Sequence, residues 1–129
     1  NGYILIMDPP EVIRKKISRA VTDSIGEVRY SDDQPGVKNL MNILISLTGV
    51  SPEEIEKKYA GKGYAEFKKD VAEAIVAELE PIQNKVKEIL ADKAYLEKIY
   101  KAGAEKAYYM SLKTLRKMQK KIGFIPPAK

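Results

Sequence analysis

Five of the nine residues in Lys113-Thr114-Leu115-Arg116-Lys117-Met118-Gln119-Lys120-Lys121 are cations. Steps of three and four residues return to the same side of a helix, so Lys113, Lys117, Lys120 and Lys121 fall along one stripe with Arg116 beside them. Like charges at that spacing repel by a few tenths of a kcal/mol per pair, a cost that a polyanion would remove. Neutralising phosphates also releases counterions, with a salt slope of about 0.7 per contact on a single strand. Tyr108 and Tyr109 stand one turn before the run. Adjacent helical positions point apart, so at most one of them belongs to a core and the other is free to stack on an unpaired base. Arg14, Lys15 and Arg19 form a second, smaller group of candidate phosphate contacts. The competing reading of the C-terminal run is a solvated helix end, where cations suit the negative end of the macrodipole.

The charge distribution singles out that end of the chain. Residues 1–35 hold five basic and six acidic groups, residues 36–100 hold ten and eleven, and residues 101–129 hold eight and one. The whole excess of +5 is therefore C-terminal. Other chemistry is thinned out by composition. The 129 residues include no cysteine and no histidine, which removes disulfides, zinc–thiolate sites, thiol nucleophiles and the commonest proton shuttle. No metal site is expected. Glycine-rich phosphate loops are absent, and Gly61-Lys62-Gly63 is too short to cradle a phosphate. The carboxylate pairs Asp32/Asp33, Glu53/Glu54 and Glu78/Glu80 sit in a loop, at a cap and on a polar face, so they read as solvated surface. Thr22 and Ser24 have no histidine to activate them. No catalytic residue is expected in this stretch.

The elements that must hold these groups are helical. Length bounds the chain to one compact domain. At 44% apolar and 32% charged residues, the composition is that of a charge-rich helical protein. No apolar run approaches the roughly 20 residues of a membrane span, and no signal pattern opens the chain, so the cytoplasm is the expected location. Tyr3-Ile4-Leu5-Ile6-Met7 reads as a buried strand whose partners lie elsewhere. Asp8 with Pro9, Pro10 and Glu11 starts a first helix, with Val12, Ile13, Ile17, Ala20 and Val21 on its inner face. Residues 31–36 are a loop. A second helix, about Val37–Thr48, is apolar over much of its circumference and stops at Gly49.

Ser51-Pro52-Glu53-Glu54 is a capping box opening a short third helix. A long apolar period from Tyr64 to Leu90 is interrupted by Pro81, which predicts a kink or break. Asp92 caps the last helix, whose inner stripe is expected to be Leu96, Tyr100, Ala104, Ala107, Ser111, Leu115, Met118 and Ile122, ending at Gly123. Tyr30, Tyr59, Tyr64, Tyr95 and Tyr100 are expected to pack, with their hydroxyls at the rim.

The run from Tyr3 through Ile17, followed by Ala20-Val21-Thr22-Asp23-Ser24, resembles the segment just downstream of the KMSKS signature in bacterial tryptophanyl-tRNA synthetases. Pro35-Gly36-Val37-Lys38-Asn39-Leu40, Gly63-Tyr64 with Phe67-Lys68, Pro81-Ile82, Thr114-Leu115-Arg116 and Gly123-Phe124 follow in that family's order, so the similarity covers the whole chain. It implies an all-α helical bundle of the anticodon-binding type at residues 8–129. Residues 1–7 would then end the sheet of a Rossmann-fold catalytic domain. It further implies a class I enzyme that joins tryptophan to tRNA-Trp using ATP with Mg, usually as a homodimer.

The HIGH and KMSKS motifs are both missing here, so this stretch alone is expected to be inactive and to act with the catalytic domain of the same protein. Family positions Thr22, Asp23, Pro35, Gly36, Lys38 and Asn39 are read as capping and turn residues; the tRNA-contact candidates rest on charge and spacing. Two alternatives stay open: a synthetase-like RNA-binding or regulatory module without catalysis, and a helical protein-interaction domain.

Overall fold

The computed structural model describes residues 2–124, and Asn1 and residues 125–129 of the two expected segments lie outside them. Five helices follow in order: α1 (Pro10–Ser18), α2 (Pro35–Thr48), α3 (Pro52–Tyr59), α4 (Gly63–Ala91) and α5 (Lys93–Ile122). The expected all-α class holds. Among the described residues there is no strand; Tyr3–Met7 is irregular, and Tyr3, Leu5, Ile6 and Met7 are exposed rather than buried as expected. The chain offers this segment no ladder, and side chains take over its backbone groups. The Asp8 carboxylate accepts the Leu5 N–H (2.9 Å), and the Gln83 amide donates to the carbonyls of Ile6 (2.8 Å) and Asp8 (2.9 Å). The described residues divide into two compact units between Lys85 and Val86.

The first unit has a continuous core, built where apolar residues recur at helical spacing. Ile13 and Ile17 come from α1; Val37, Leu40, Met41 and Leu44 from α2; Ile55 and Tyr59 from α3; Phe67, Val71, Ala72 and Ile75 from α4. Apart from the adjacent pairs Leu40/Met41 and Val71/Ala72, the steps are three and four residues, so each helix turns a single apolar side inward. Tyr59 and Phe67 meet edge to face at 5.2 Å. The capping box of α3 forms as expected, with the Glu54 N–H donating to Ser51 Oγ and the Ser51 N–H donating to the Glu54 carboxylate. Gly49 ends α2 in the left-handed region at φ 71°.

Two expectations about α1 change. Its N-cap is Pro9, without a side-chain bond, because the Asp8 carboxylate turns back to the Leu5 N–H and accepts Lys16 Nζ at 2.5 Å. The helix also stops at Ser18, so Val21 is not on a buried face but 86% exposed. Its backbone explains why it is fixed there: a Cβ on Gly36 would lie 2.2 Å from the Val21 carbonyl oxygen, so only glycine lets the loop and the start of α2 come this close.

The second unit comprises the end of α4 and α5. Asp92 caps α5 as expected, accepting the Tyr95 N–H at 2.9 Å, and Gly123 closes it with φ 74°. No residue of α5 is buried, so the expected inner stripe from Leu96 to Ile122 is not a core in this chain, and Tyr95 and Tyr100 are exposed rather than packed. Helical periodicity records an apolar side; it does not supply the surface that would cover it. α4 runs unbroken through Pro81. Losing one hydrogen bond in a helix of 29 residues is local, and the Gln83 amide anchors the following turn. Among the described residues no helix is long and apolar enough to cross a membrane.

Candidate nucleic-acid interface

α5 displays its cations on an open surface. Lys113, Arg116, Lys117, Lys120 and Lys121 are all exposed, and Lys117, Lys120 and Lys121 border a shallow depression with Thr114 and Met118. Earlier in the helix Lys101 finds Glu97 one turn away at 2.5 Å. Beyond Glu105 the sequence offers no acidic residue, so the later cations have no such partner within the helix. Two of them, Lys120 and Lys121, sit in the last turn, where the carbonyl end of the macrodipole favours positive charge. Tyr108 and Tyr109 are both exposed, so neither is a core residue, and their rings meet edge to face at 5.7 Å.

The second group belongs to α1 and the residue capping it, and its members differ. Arg14 forms a two-pronged ion pair with Glu73, Nε and Nη2 donating at 2.7 and 2.9 Å. That pairing raises the guanidinium pKa and lowers that of the Glu73 carboxyl. The Nε/Nη2 edge of the Arg14 guanidinium is thus used on a carboxylate of the same chain. Lys15 and Arg19 are exposed and carry no such partner among the described residues.

A polar junction that sequence reading missed fixes the loop between α1 and α2. The Tyr64 hydroxyl accepts from the Gly26 N–H (3.1 Å) and from Gln34 Nε2 (3.1 Å), and donates to the Asp23 carboxylate. One phenol hydroxyl has one donor and two acceptor sites, and all are used. The Asp23 carboxyl is held below its usual pKa, chiefly by Tyr64, while burial pushes the Tyr64 phenol up. Gln34, nearly fully buried, donates as well to the Glu27 carbonyl at 3.0 Å. The expected turn and capping positions fall around this junction. Pro35 opens α2, Gly36 abuts the Val21 carbonyl, and Lys38 pairs with Asp32 at 2.5 Å beneath the Tyr30 ring. The sequence marked Tyr64 as a packing residue and as part of the Gly63-Tyr64 pair, but not its hydroxyl's partners, which are 30 to 41 residues distant. The carboxylate pairs Asp32/Asp33, Glu53/Glu54 and Glu78/Glu80 are all exposed. Among the described residues, no group of three or more side chains is placed to hold a metal ion.

Comparison with known proteins gives this geometry its family. Residues 1–80 match the family model for tRNA synthetases class I (W and Y). The chain belongs to that family. Among this synthetase family's members, it is 71% identical to a tryptophan–tRNA ligase from Clostridium perfringens, over 98% of this chain and 38% of that protein. A tryptophan–tRNA ligase from Enterococcus faecalis is 48% identical over 95% of the chain and 37% of its own length. The crystal structure of tryptophanyl-tRNA synthetase from Mycoplasma pneumoniae superposes with a TM-score of 0.67 at 30% identity, covering 96% of this chain and 38% of that one. The chain thus spans a little over a third of the length of the synthetases it matches. The family model ends within α4, so α5 enters the comparison only through these longer alignments.

Proposed function

We propose that this chain is the C-terminal, tRNA-binding portion of a tryptophan–tRNA ligase. The observation that carries this reading is the 71% identity to such a ligase across nearly the whole chain. In the assembled enzyme the tryptophan carboxylate attacks the ATP α-phosphate and displaces pyrophosphate. A ribose hydroxyl at the tRNA 3′ end then attacks the resulting mixed anhydride and displaces AMP. Neither step is assigned to a residue of this chain, which lacks the HIGH and KMSKS signatures.

Residues 8–129 act here as the helical RNA-binding part and residues 1–7 adjoin the catalytic domain, in an enzyme that works as a homodimer in the cytoplasm. Lys113, Arg116, Lys117, Lys120 and Lys121 contact tRNA phosphates; their exposure and the lack of acidic neighbours support this. Lys15 and Arg19 are secondary contacts. Arg14 ranks below them, because its charge is already met by the Glu73 carboxylate.

A filter-binding titration of tRNA-Trp against a mismatched tRNA, repeated over a salt series, tests the reading. Tighter binding of tRNA-Trp with a steep salt dependence is expected. Replacing Lys117 and Lys120 by alanine should weaken binding and flatten the slope by about 1.4, at about 0.7 per lost contact. Equal affinity for both RNAs would leave only unspecific charge attraction, and a flat salt response would overturn the phosphate contacts.

A further inference from the structure

We propose that Tyr109 is a stacking platform for one unpaired base of a bound RNA, set between cations that hold the phosphates on either side of that base. The inference rests on the reading of α5 as an RNA-binding element and names the part of the RNA that α5 recognises. On a helix the neighbours of position 109 lie three and four residues to either side, here Glu105, Lys106, Leu112 and Lys113. The two cations among them, Lys106 and Lys113, lie about 4.5 and 6 Å away along the axis at 1.5 Å per residue. Lys117 continues the same stripe beyond Lys113, and Arg116 flanks it.

The other exposed tyrosines of α5 lack this setting. Tyr108 has Ala104, Glu105, Ser111 and Leu112 at the corresponding positions. Tyr100 has Leu96, Glu97, Gly103 and Ala104, and Tyr95 has a cation on one side only, Lys98. Tyr109, which Glu105 also adjoins, is alone among these four tyrosines in having a cation on each side.

Its ring is also available and oriented. Tyr109 is 63% exposed, yet it meets Tyr108 edge to face with 69° between the planes. Such a contact limits the ring's freedom before any ligand arrives, and a tyrosine has few rotamers to lose. A ligand complementary to a flat apolar ring between two cations alternates flat rings with negative charges. Single-stranded nucleic acid has that alternation; a duplex keeps its bases stacked on one another and presents mainly phosphates.

Binding of two fluorescent probes to the full chain tests the proposal: a short RNA hairpin with an unpaired loop, and a fully paired RNA of the same length. Tyr109→Leu should weaken hairpin binding roughly 5- to 140-fold, the range for losing one base–aromatic stack, while the salt slope stays as it was. Tyr109→Phe should keep hairpin affinity, Tyr108→Leu should weaken it less than Tyr109→Leu does, and none of the three should alter duplex binding by more than about twofold. Native-like hairpin affinity in Tyr109→Leu would overturn the platform while leaving the salt-dependent contacts in place. Equal losses in Tyr109→Phe and Tyr109→Leu would overturn it too, by showing a hydrogen bond from the hydroxyl instead of stacking. If the unaltered chain bound neither probe, the RNA reading of α5 would fail, and this inference with it. Unchanged helical circular dichroism in each variant excludes loss of fold, which exposed positions are not expected to cause.

Discussion

Through Lys85 the chain carries twelve basic and fourteen acidic residues; from Val86 onward it carries eleven and four. In the first region the charges are largely spent on one another. Arg14 pairs with Glu73, Lys16 with Asp8, Lys38 with Asp32, and Lys58 with Asp70, while apolar side chains close a core beneath them. In the second region α5 buries nothing, and after Glu105 its cations have no acid to meet. A region that neutralises its own charge is built to be stable by itself. One that leaves like charges in a row tolerates a small internal repulsion and keeps its attraction for an external anion.

The contrast breaks most easily through packing. Phe67, fully buried in the first region, should cost about 3–5 kcal/mol when replaced by alanine. Met118→Ala on the exposed side of α5 should stay within about 0.5 kcal/mol. Urea unfolding of the two variants measures both, and similar losses would mean that α5 has a covered apolar side after all. A smaller effect is expected at Gly36. Adding a methyl group there drives it into the Val21 carbonyl, backbone against backbone, so Gly36→Ala should cost about 1–3 kcal/mol and shift the amide resonances of residues 20–26.

Acid gives the smallest effect per group. The carboxyls of Asp8, Asp23 and Asp70 lie below their usual pKa, held chiefly by Lys16, Tyr64 and Lys58 respectively. A carboxyl with a lower pKa folded than unfolded adds stability above its unfolded pKa of about 3.9 and loses it as the pH falls through the folded value. The urea midpoint of the first region should therefore drop as the pH is taken below about 4. A midpoint that rose or stayed level would remove these three contacts from the account.

What was legible in the sequence shares one property: locality. The Ser51/Glu54 box, the Asp92 cap, and the Gly49 and Gly123 stops each depend on residues within a few positions, so type and spacing suffice. The apolar sides of α1 to α4 were legible for the same reason. Asp8 was misread because two partners compete for its carboxylate, and Lys16, a full two turns on, prevailed over the cap. Tyr64, Asp23 and Gln34 meet only once the chain has folded, so nothing in their spacing announced the junction. For the candidate interface, the types and the stripe of the α5 cations were readable. Their exposure was not, because exposure depends on what packs nearby, and the same gap turned an expected inner stripe into open surface.

Position 83 admits very few side chains. An amide nitrogen carries two hydrogens, and Gln83 commits both, one to the Ile6 carbonyl and one to that of Asp8. Glutamate, though nearly the same shape, would aim lone pairs at two backbone oxygens, and asparagine is one methylene too short to reach them. A single codon in the long fourth helix thereby sets the path of a segment more than seventy residues earlier in the chain.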